Sequence, residues 1–175
     1  MSGVNILPVK ESDMKLLSEV ALKAYTDHYL YLWCDDGRWY IQKCFSEGAL
    51  KKEWEDANAR LFIVCENEKP IGFLKLNVDA PLPGAEQKNG LELERIYLAK
   101  AATGKGVGET ILKFVFQFAK AQNKNMVWLK VMDSSSGPIA FYKKMGFETC
   151  GTHRLDFQVM KEELRGMYVM KRELN

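Results

Sequence analysis

Thr103-Gly104-Lys105-Gly106-Val107-Gly108-Glu109 is the stretch that decides the fold, because it joins a predicted strand at residues 91–98 to a predicted helix that ends near Asn123. Apolar side chains at three- and four-residue steps indicate that helix; they are Ile111, Leu112, Val115, Phe118 and Ala119. A glycine-rich turn before a helix presents free backbone N–H groups and the positive end of the helix dipole. We therefore predict that this turn binds phosphate.

Three phosphate-binding motifs compete for the turn. A P-loop requires Ser or Thr directly after Gly-Lys, but Gly106 follows Lys105. A Rossmann fingerprint that starts at Gly104 requires glycine at position 109, where the chain has Glu109. The turn instead resembles the (Gln/Arg)-x-x-Gly-x-(Gly/Ala) pyrophosphate loop of the Gcn5-related N-acetyltransferase (GNAT) superfamily, with Thr103 in place of Gln or Arg.

A second segment, Pro138-Ile139-Ala140-Phe141-Tyr142-Lys143-Lys144-Met145-Gly146-Phe147, carries the same resemblance. It is similar to the superfamily's Phe-Tyr-x-Lys-x-Gly-Phe signature, and the resemblance spans about residue 62 to the C-terminus. It implies the GNAT fold, which is α/β (mixed α+β). In that fold a mostly antiparallel, twisted sheet of about seven strands is flanked by helices and splayed between the fourth and fifth strands. The alternation of strands and helices in the second half independently favours an α/β sheet.

The resemblance also implies an activity. GNAT enzymes transfer an acetyl group from acetyl-CoA to an amine by direct attack in a ternary complex, which makes acetyl-CoA the co-substrate. We expect no metal, because the two histidines, His28 and His153, lie far apart in the chain. Two other function classes stay open: a non-catalytic acyl-CoA sensor with the same fold, and an unrelated α/β nucleotide-binding module.

The resemblance assigns coenzyme contacts mainly to the main chain. The loop at residues 103–109 would hold the pyrophosphate, and the end of the strand at residues 96–98 would pair with the pantetheine arm, with the Leu98 N–H as a candidate oxyanion donor. Ser135 lies where many members carry Asn, seven residues before the tyrosine. The expected coenzyme-binding set is Ile96, Tyr97, Leu98, Thr103, Gly104, Lys105, Gly106, Val107, Gly108, Glu109, Ser135 and Tyr142.

Three residues are candidates for catalysis. Tyr142 matches the family's general acid for the CoA sulfur, and a phenol with its usual pKa of about 10 is protonated at neutral pH; the alternative is a core tyrosine. Glu92 and Glu94 are the candidate bases. They lie two apart on a strand, so we expect both on one face, toward Ile96 and Leu98. Glu94 matches the glutamate of polyamine-type enzymes and Glu92 is nearer that of histone-type ones. Each could instead be a solvated surface carboxylate.

The acceptor site is expected among the first helices, where carboxylates and aromatic rings mingle. Such a mixture suits a cationic amine through charge pairing and cation–π contact. The candidate substrate residues are Trp33, Asp35, Asp36 and Trp39, and we expect a small-molecule, polyamine-like amine as in the bacterial spermidine/spermine acetyltransferases that the chain resembles. Alternatively, the tryptophans fill the core while Asp35-Asp36-Gly37 forms a turn and caps a helix.

Length and composition set the remaining expectations. The 175 residues form one predicted domain, with an N-terminal strand and acceptor-side helices in residues 1–60 and the acetyl-CoA-binding core in residues 61–175. A net charge of +2 is too small to indicate a nucleic-acid partner. The N-terminus lacks a signal-peptide pattern and no apolar stretch reaches about 20 residues, so we expect a cytoplasmic protein without a membrane partner, as a monomer or homodimer.

Overall fold

The protein is described by a computed structural model of residues 3–86 and 89–175. Its strands form one seven-stranded sheet in the order β1-β2-β3-β4-β5-β7-β6. The strands are β1 Val4–Pro8, β2 Ala59–Glu66, β3 Lys69–Asn77, β4 Gly90–Leu98, β5 Met126–Met132, β6 Glu148–Arg154 and β7 Gly166–Glu173. The predicted fold class, a mixed α/β structure with a mostly antiparallel sheet, is confirmed.

Helices cover both faces of the sheet. They are α1 Met14–Thr26, α2 Arg38–Phe45, α3 Glu47–Glu55, α4 Val107–Ala121 and α5 Ser136–Lys144. Residues 11–13 form a separate 3₁₀ turn directly ahead of α1. Within the described ranges, no helix combines the length and the apolar character that crossing a bilayer requires.

The sheet separates two hydrophobic cores. On one side the buried stripe of α4, which includes Ile111, Leu112 and Val115, packs on Leu91 and Leu93 of β4. The core on the other side joins α1, α2 and α3 to the sheet through Leu17, Phe45, Leu50 and Phe73. Each fully buried side chain of this size contributes about 1.5–3 kcal/mol to folding, so both layers of helices are fixed firmly to the sheet.

Strands β4 and β5 separate after a short parallel contact. Their pairing covers three residue pairs: Gly90 with Met126, Leu91 with Val127 and Glu92 with Trp128. Beyond these pairs β4 is bonded only to β3, and β5 only to β7, within the described strands. The facing edges of β4 and β5 therefore diverge, and the splay lies between the fourth and fifth strands as predicted.

A β-bulge at Glu94 changes which way β4 side chains point. Lys75 of β3 pairs with Arg95, whereas the next β3 residue, Leu76, pairs with Leu93, so Glu94 is an extra residue in β4. A bulge interrupts the strict alternation of side chains along a strand. The face that a β4 side chain occupies therefore cannot be read by counting in twos across Glu94.

Candidate active site

A cavity of about 460 Å³ lies where β4 and β5 diverge. Its floor comes from β4 and β5, and its walls come from α5, the chain between α1 and α2, and the segment after β6. Aromatic and other apolar side chains make up most of the lining, and three carboxylates and three cations join them. The aromatic and charged members include Tyr29, Trp33, Tyr40, Tyr97, Tyr142, Phe157, Glu53, Glu92, Glu94, Lys43, Arg95 and Lys130. The cavity thus brings both candidate bases and the candidate acid together.

The glycine turn forms an open cradle at the start of α4. Gly104 and Gly106 have φ values of +75° and +79°, and a Cβ built on either would have no atom within 4 Å. Gly106 is the N-cap of α4, and the Thr110 N–H makes the bond to its carbonyl at 3.2 Å. The N–H groups of the first turn have no intrahelical acceptor, so they are available to an anion.

Two side chains of the turn, those of Thr103 and Glu109, make contacts within the protein. The Thr103 hydroxyl donates to the Lys100 carbonyl at 2.7 Å, which closes the 3₁₀ turn ahead of the loop. The Glu109 carboxylate pairs with Lys113 at 2.9 Å, and this contact lowers the pKa of Glu109. Because these two side chains are engaged within the protein, the cradle consists mainly of main-chain groups.

Gly108 couples the cradle to α5. A Cβ at position 108 would come within 3.0 Å of the Phe141 ring, so only glycine allows this close packing. Phe141 contacts Tyr142, with ring centroids 5.5 Å apart. The start of α4 and the candidate acid are therefore parts of one packed unit.

Tyr142 lies buried between the α4-side core and the cavity. Its ring packs edge-on against Phe147, and burial raises the pKa of its hydroxyl above the ordinary value of 10. The phenol therefore stays neutral throughout the physiological range and keeps a proton to donate. The ring is a core residue and the side chain also lines the cavity, so its position is compatible with both interpretations, and the catalytic role stays a prediction.

The end of β4 presents free main-chain groups to the splay. The Ala99 N–H donates to the Ile71 carbonyl of β3 at 2.8 Å. Because N–H groups alternate in direction along a strand, those of Ile96 and Leu98 face away from β3 and toward the gap. These are the groups that the family resemblance assigns to the pantetheine arm and the oxyanion.

Glu92 and Glu94 do not share a face with Ile96 and Leu98, and that expectation was wrong. Ile96 and Leu98 pack in the α4-side core, as do Leu91 and Leu93 on either side of Glu92, so Glu92 points to the opposite face. Glu94 points there too, because it pairs with Lys75, which lies beside Glu53 of α3. The bulge at Glu94 is the physical reason, because it reverses the alternation between the glutamates and the strand end.

The two glutamates differ in their surroundings. Glu92 accepts a hydrogen bond from the Asn77 amide at 2.8 Å, and burial raises its pKa above the usual value. Glu94 is partly exposed and forms an ion pair with Lys75 at 2.5 Å. Glu92 is therefore the better candidate base, because the carboxylate of Glu94 is already engaged by a lysine.

A buried ion network, which the sequence analysis missed, supports the floor of the cavity. Glu53 of α3 accepts from the Arg95 guanidinium at 2.8 Å and lies 3.6 Å from the Lys75 ammonium. Lys75 and Arg95 are buried. Glu53 is far from both in sequence, so no local pattern reveals the contact.

The predicted substrate residues are divided by the structure. Trp33 is 2% exposed, lines the cavity, stacks on Tyr40 and donates from Nε1 to the Tyr25 hydroxyl at 2.8 Å. Asp35, Asp36 and Trp39 are absent from the cavity lining.

These three residues shape the start of α2. The Asp35 carboxylate accepts the N–H groups of Gly37 at 3.0 Å and Trp39 at 2.8 Å. Asp36 adopts a positive φ of 57° in the turn, and Trp39 is 40% exposed with the Lys43 ammonium 4.6 Å above its ring. The structure therefore agrees with the turn-and-cap alternative for this segment.

Comparison with known proteins identifies the family of the chain. Residues 17–147 match the sequence profile of the Acetyltransferase (GNAT) family. The chain belongs to this family. Its members named among the relatives are acetyltransferases, so the chain is an acetyl-CoA-dependent acyltransferase.

The relatives include two N-acetyltransferases described as uncharacterized. One, from Lactobacillus delbrueckii subsp. lactis, is 26% identical over 154 residues, which cover 87% of this chain and 89% of that protein. The other, from Methanocaldococcus jannaschii, is 31% identical over 143 residues, which cover 80% of this chain and only 58% of that protein.

Solved structures share the fold. The PaiA N-acetyltransferase from Thermoplasma acidophilum, in complex with coenzyme A, superposes with a TM-score of 0.76 at 22% identity, over 98% of this chain and 99% of that one. A chimera of the Vibrio cholerae spermidine N-acetyltransferase SpeG and hSSAT gives a TM-score of 0.72 at 17% identity, over 97% and 95%. At these identities the likeness concerns the fold alone.

Proposed function

We propose that the protein transfers the acetyl group of acetyl-CoA to a primary amine of a small molecule, by direct attack in a ternary complex. One observation carries the proposal: Glu92 and Tyr142 line one cavity where β4 and β5 diverge, and Gly108 of the glycine turn packs on Phe141, the residue before Tyr142.

The coenzyme would lie along the splay. Amides at the start of α4 would bind its diphosphate, and a Cβ at Gly104 or Gly106 would stand in the open space that such a group requires. The main-chain groups of Ile96 and the N–H of Leu98, on the edge of β4 that faces the gap, would hydrogen-bond to the pantetheine arm as to an added strand. The Leu98 N–H would then face the thioester carbonyl oxygen, on which negative charge develops.

Glu92 would act as the base. An ammonium has no lone pair, so the acceptor must attack as a neutral amine, and a carboxylate with a raised pKa more readily takes the proton that the attacking nitrogen then loses. The Glu94 carboxylate is instead held by the Lys75 ammonium at 2.5 Å. We therefore assign proton transfer to Glu92. Glu94 would instead contribute a negative charge at the floor of the cavity.

Tyr142 would complete the reaction. As the amine nitrogen bonds to the acetyl carbon, the carbon–sulfur bond breaks, and the neutral phenol donates a hydrogen bond and then a proton to the departing sulfur. The ammonium releases one proton to solvent before attack, and the attacking nitrogen gives a second proton to Glu92. That second proton then reaches Tyr142 through solvent, which restores both groups. Burial of Tyr142 keeps its proton in place until the sulfur develops charge.

For the acceptor we propose a polyamine. Aromatic rings line the cavity together with three carboxylates and the cations Lys43, Arg95 and Lys130. Glu94 is ion-paired with Lys75 and Glu53 with Arg95, whereas Glu92 has no cation within ion-pair distance among the described residues. The Glu92 carboxylate and the aromatic rings are therefore the groups that would hold a cationic amine. The chimera that shares the fold is named as a spermidine N-acetyltransferase, which makes spermidine the first polyamine to test.

Steady-state kinetics with variants test the proposal. Tyr142→Phe should lower kcat about 100-fold and change the Kd for CoA less than threefold, because it removes only the proton donor. Glu92→Gln should lower kcat/KM for the amine about 100-fold, whereas the matched variant Glu94→Gln should lower it less than tenfold. If the protein binds CoA but releases no CoA from acetyl-CoA when an amine is added, the result would support the sensor alternative.

An acceptor panel tests the substrate class. Spermidine, a neutral monoamine, a free amino acid, an aminoglycoside and a peptide N-terminus should be compared at equal acetyl-CoA. We expect spermidine to have the highest kcat/KM, with a preference that weakens as salt screens the carboxylates. Equal turnover of neutral and cationic amines would refute the polyamine assignment and leave the acetyl transfer itself intact.

A further inference from the structure

The C-terminal end of α1 contacts the main chain just beyond the splay at two points. The imidazole Nε2 of His28 lies 2.8 Å from the Leu98 carbonyl oxygen. One carboxylate oxygen of Asp27 accepts the Lys100 N–H at 2.9 Å. Because a carbonyl can only accept, the His28 Nε2 must carry the proton in this contact. Two consecutive side chains therefore hold the backbone at residues 98–100.

This stretch connects the two parts of the coenzyme site. Leu98 is the last residue of β4, and the 3₁₀ turn Lys100–Ala102 leads directly into the glycine cradle. On one side the strand end is bonded to β3 through the Ala99 N–H and the Ile71 carbonyl. On the other side β5 has already diverged. On that side the contacts of Asp27 and His28 hold the end of β4 in place, as a neighbouring strand would otherwise do.

The acceptor side is connected to the same point. Tyr29, the residue after His28, lines the cavity, and its ring lies 5.3 Å from that of Tyr97 and 5.1 Å from that of Tyr25. The His28 ring packs edge-on against Tyr29. Three consecutive residues thus link the acceptor cavity to the backbone that faces the coenzyme.

We propose that His28 and Asp27 are positioning residues for acetyl-CoA. By fixing the carbonyl of Leu98 and the N–H of Lys100, they orient the Leu98 N–H toward the splay and set the distance from it to the cradle. This inference rests on the proposed function, because it assumes that the coenzyme follows the edge of β4. Neither residue contacts the reacting atoms in this scheme.

Paired substitutions test the role. His28→Leu removes the donor, whereas His28→Gln keeps an N–H close to the Nε2 position; Asp27→Ala and Asp27→Asn form the equivalent pair for the acceptor. Lys23→Ala is the control, because it removes the 2.5 Å ion pair with Asp27 but leaves the bond to the Lys100 N–H. Calorimetry gives the Kd for CoA, and steady-state kinetics give separate KM values for acetyl-CoA and the amine.

We expect His28→Leu and Asp27→Ala each to weaken CoA binding about five- to tenfold, because each substitution removes one hydrogen bond. The amine KM should change less than twofold, the glutamine and asparagine variants should recover most of the affinity, and Lys23→Ala should match the unsubstituted enzyme. Unchanged CoA affinity in both His28→Leu and Asp27→Ala would overturn the inference. It would also be overturned if His28→Gln and Asp27→Asn lost as much CoA affinity as His28→Leu and Asp27→Ala. If the unsubstituted protein itself does not bind CoA, the proposed function fails instead.

Discussion

Gly106→Ala separates the strain of the glycine turn from its use in binding. The φ of Gly106 is +79°, and a Cβ there would meet no protein atom within 4 Å. The added methyl group therefore causes no clash in the free protein. Its cost to folding comes from the left-handed backbone alone, about 1–2 kcal/mol for a residue with a Cβ.

The cost to binding should be larger. The free space around Gly106 is the space proposed for the diphosphate, and each hydrogen bond to a charged group is worth about 1.5–3 kcal/mol. Displacing the diphosphate from one amide would therefore cost about 2 kcal/mol, which is roughly a 30-fold increase in the Kd for CoA. The expected loss in melting temperature is roughly 2–8 °C for a domain of this size.

Gly84→Ala is the matched control. Gly84 lies in the loop between β3 and β4 and has a φ of +83°, and a Cβ at this position would likewise meet no atom within 4 Å. The variant should lose the same stability and keep full affinity for CoA. Thermal denaturation without ligand and calorimetric titration with CoA measure the two effects separately. Equal Kd values for the two variants would refute the assignment of the diphosphate to the turn at Gly106.

Two further predictions concern single carboxylates. Burial raises the folded-state pKa of Glu92 above its ordinary value of 4.5. Protonated Glu92 therefore contributes its full share to the free energy of unfolding below pH 4.5, and this share is lost as the pH rises through the folded-state pKa. Glu92→Gln should thus gain free energy of unfolding relative to the unsubstituted protein at pH 8 but not at pH 4, and a pH-independent difference in denaturant titrations would contradict this. Asp35→Ala removes the acceptor of two N–H groups at the start of α2 and should cost about 1 kcal/mol, seen as a lower melting temperature, with no change in the amine KM; a higher KM at unchanged stability would instead give Asp35 a substrate role.

Local sequence carried the information for the coenzyme side of the site. The glycines at 104 and 106 and the apolar stripe of α4 lie within one short segment, so both the turn and the helix follow from neighbouring residues. The strand predicted at residues 91–98 agrees with β4 to within one residue. The splay came from the family resemblance and not from any local pattern.

The acceptor side depended on long-range contacts that no local pattern encodes. The bulge at Glu94 results from its register with β3, and it decides where the side chains after it point. The contact of Glu53 with Arg95 spans 42 positions, and that of His28 with Leu98 spans 70. For Asp35 the local rule was informative, since a short acidic side chain before a helix is most often a cap.

The short run of pairing between β4 and β5 has a mechanical consequence. Three residue pairs join the half of the sheet made by β1 to β4 to the half made by β5 to β7. Main-chain bonds are sparse along this seam, so local opening there is less costly than in the interior of either half. We expect a molecule bound across the gap to hold the two halves of the sheet together. Its release should make the gap easier to open again, which helps the product to leave.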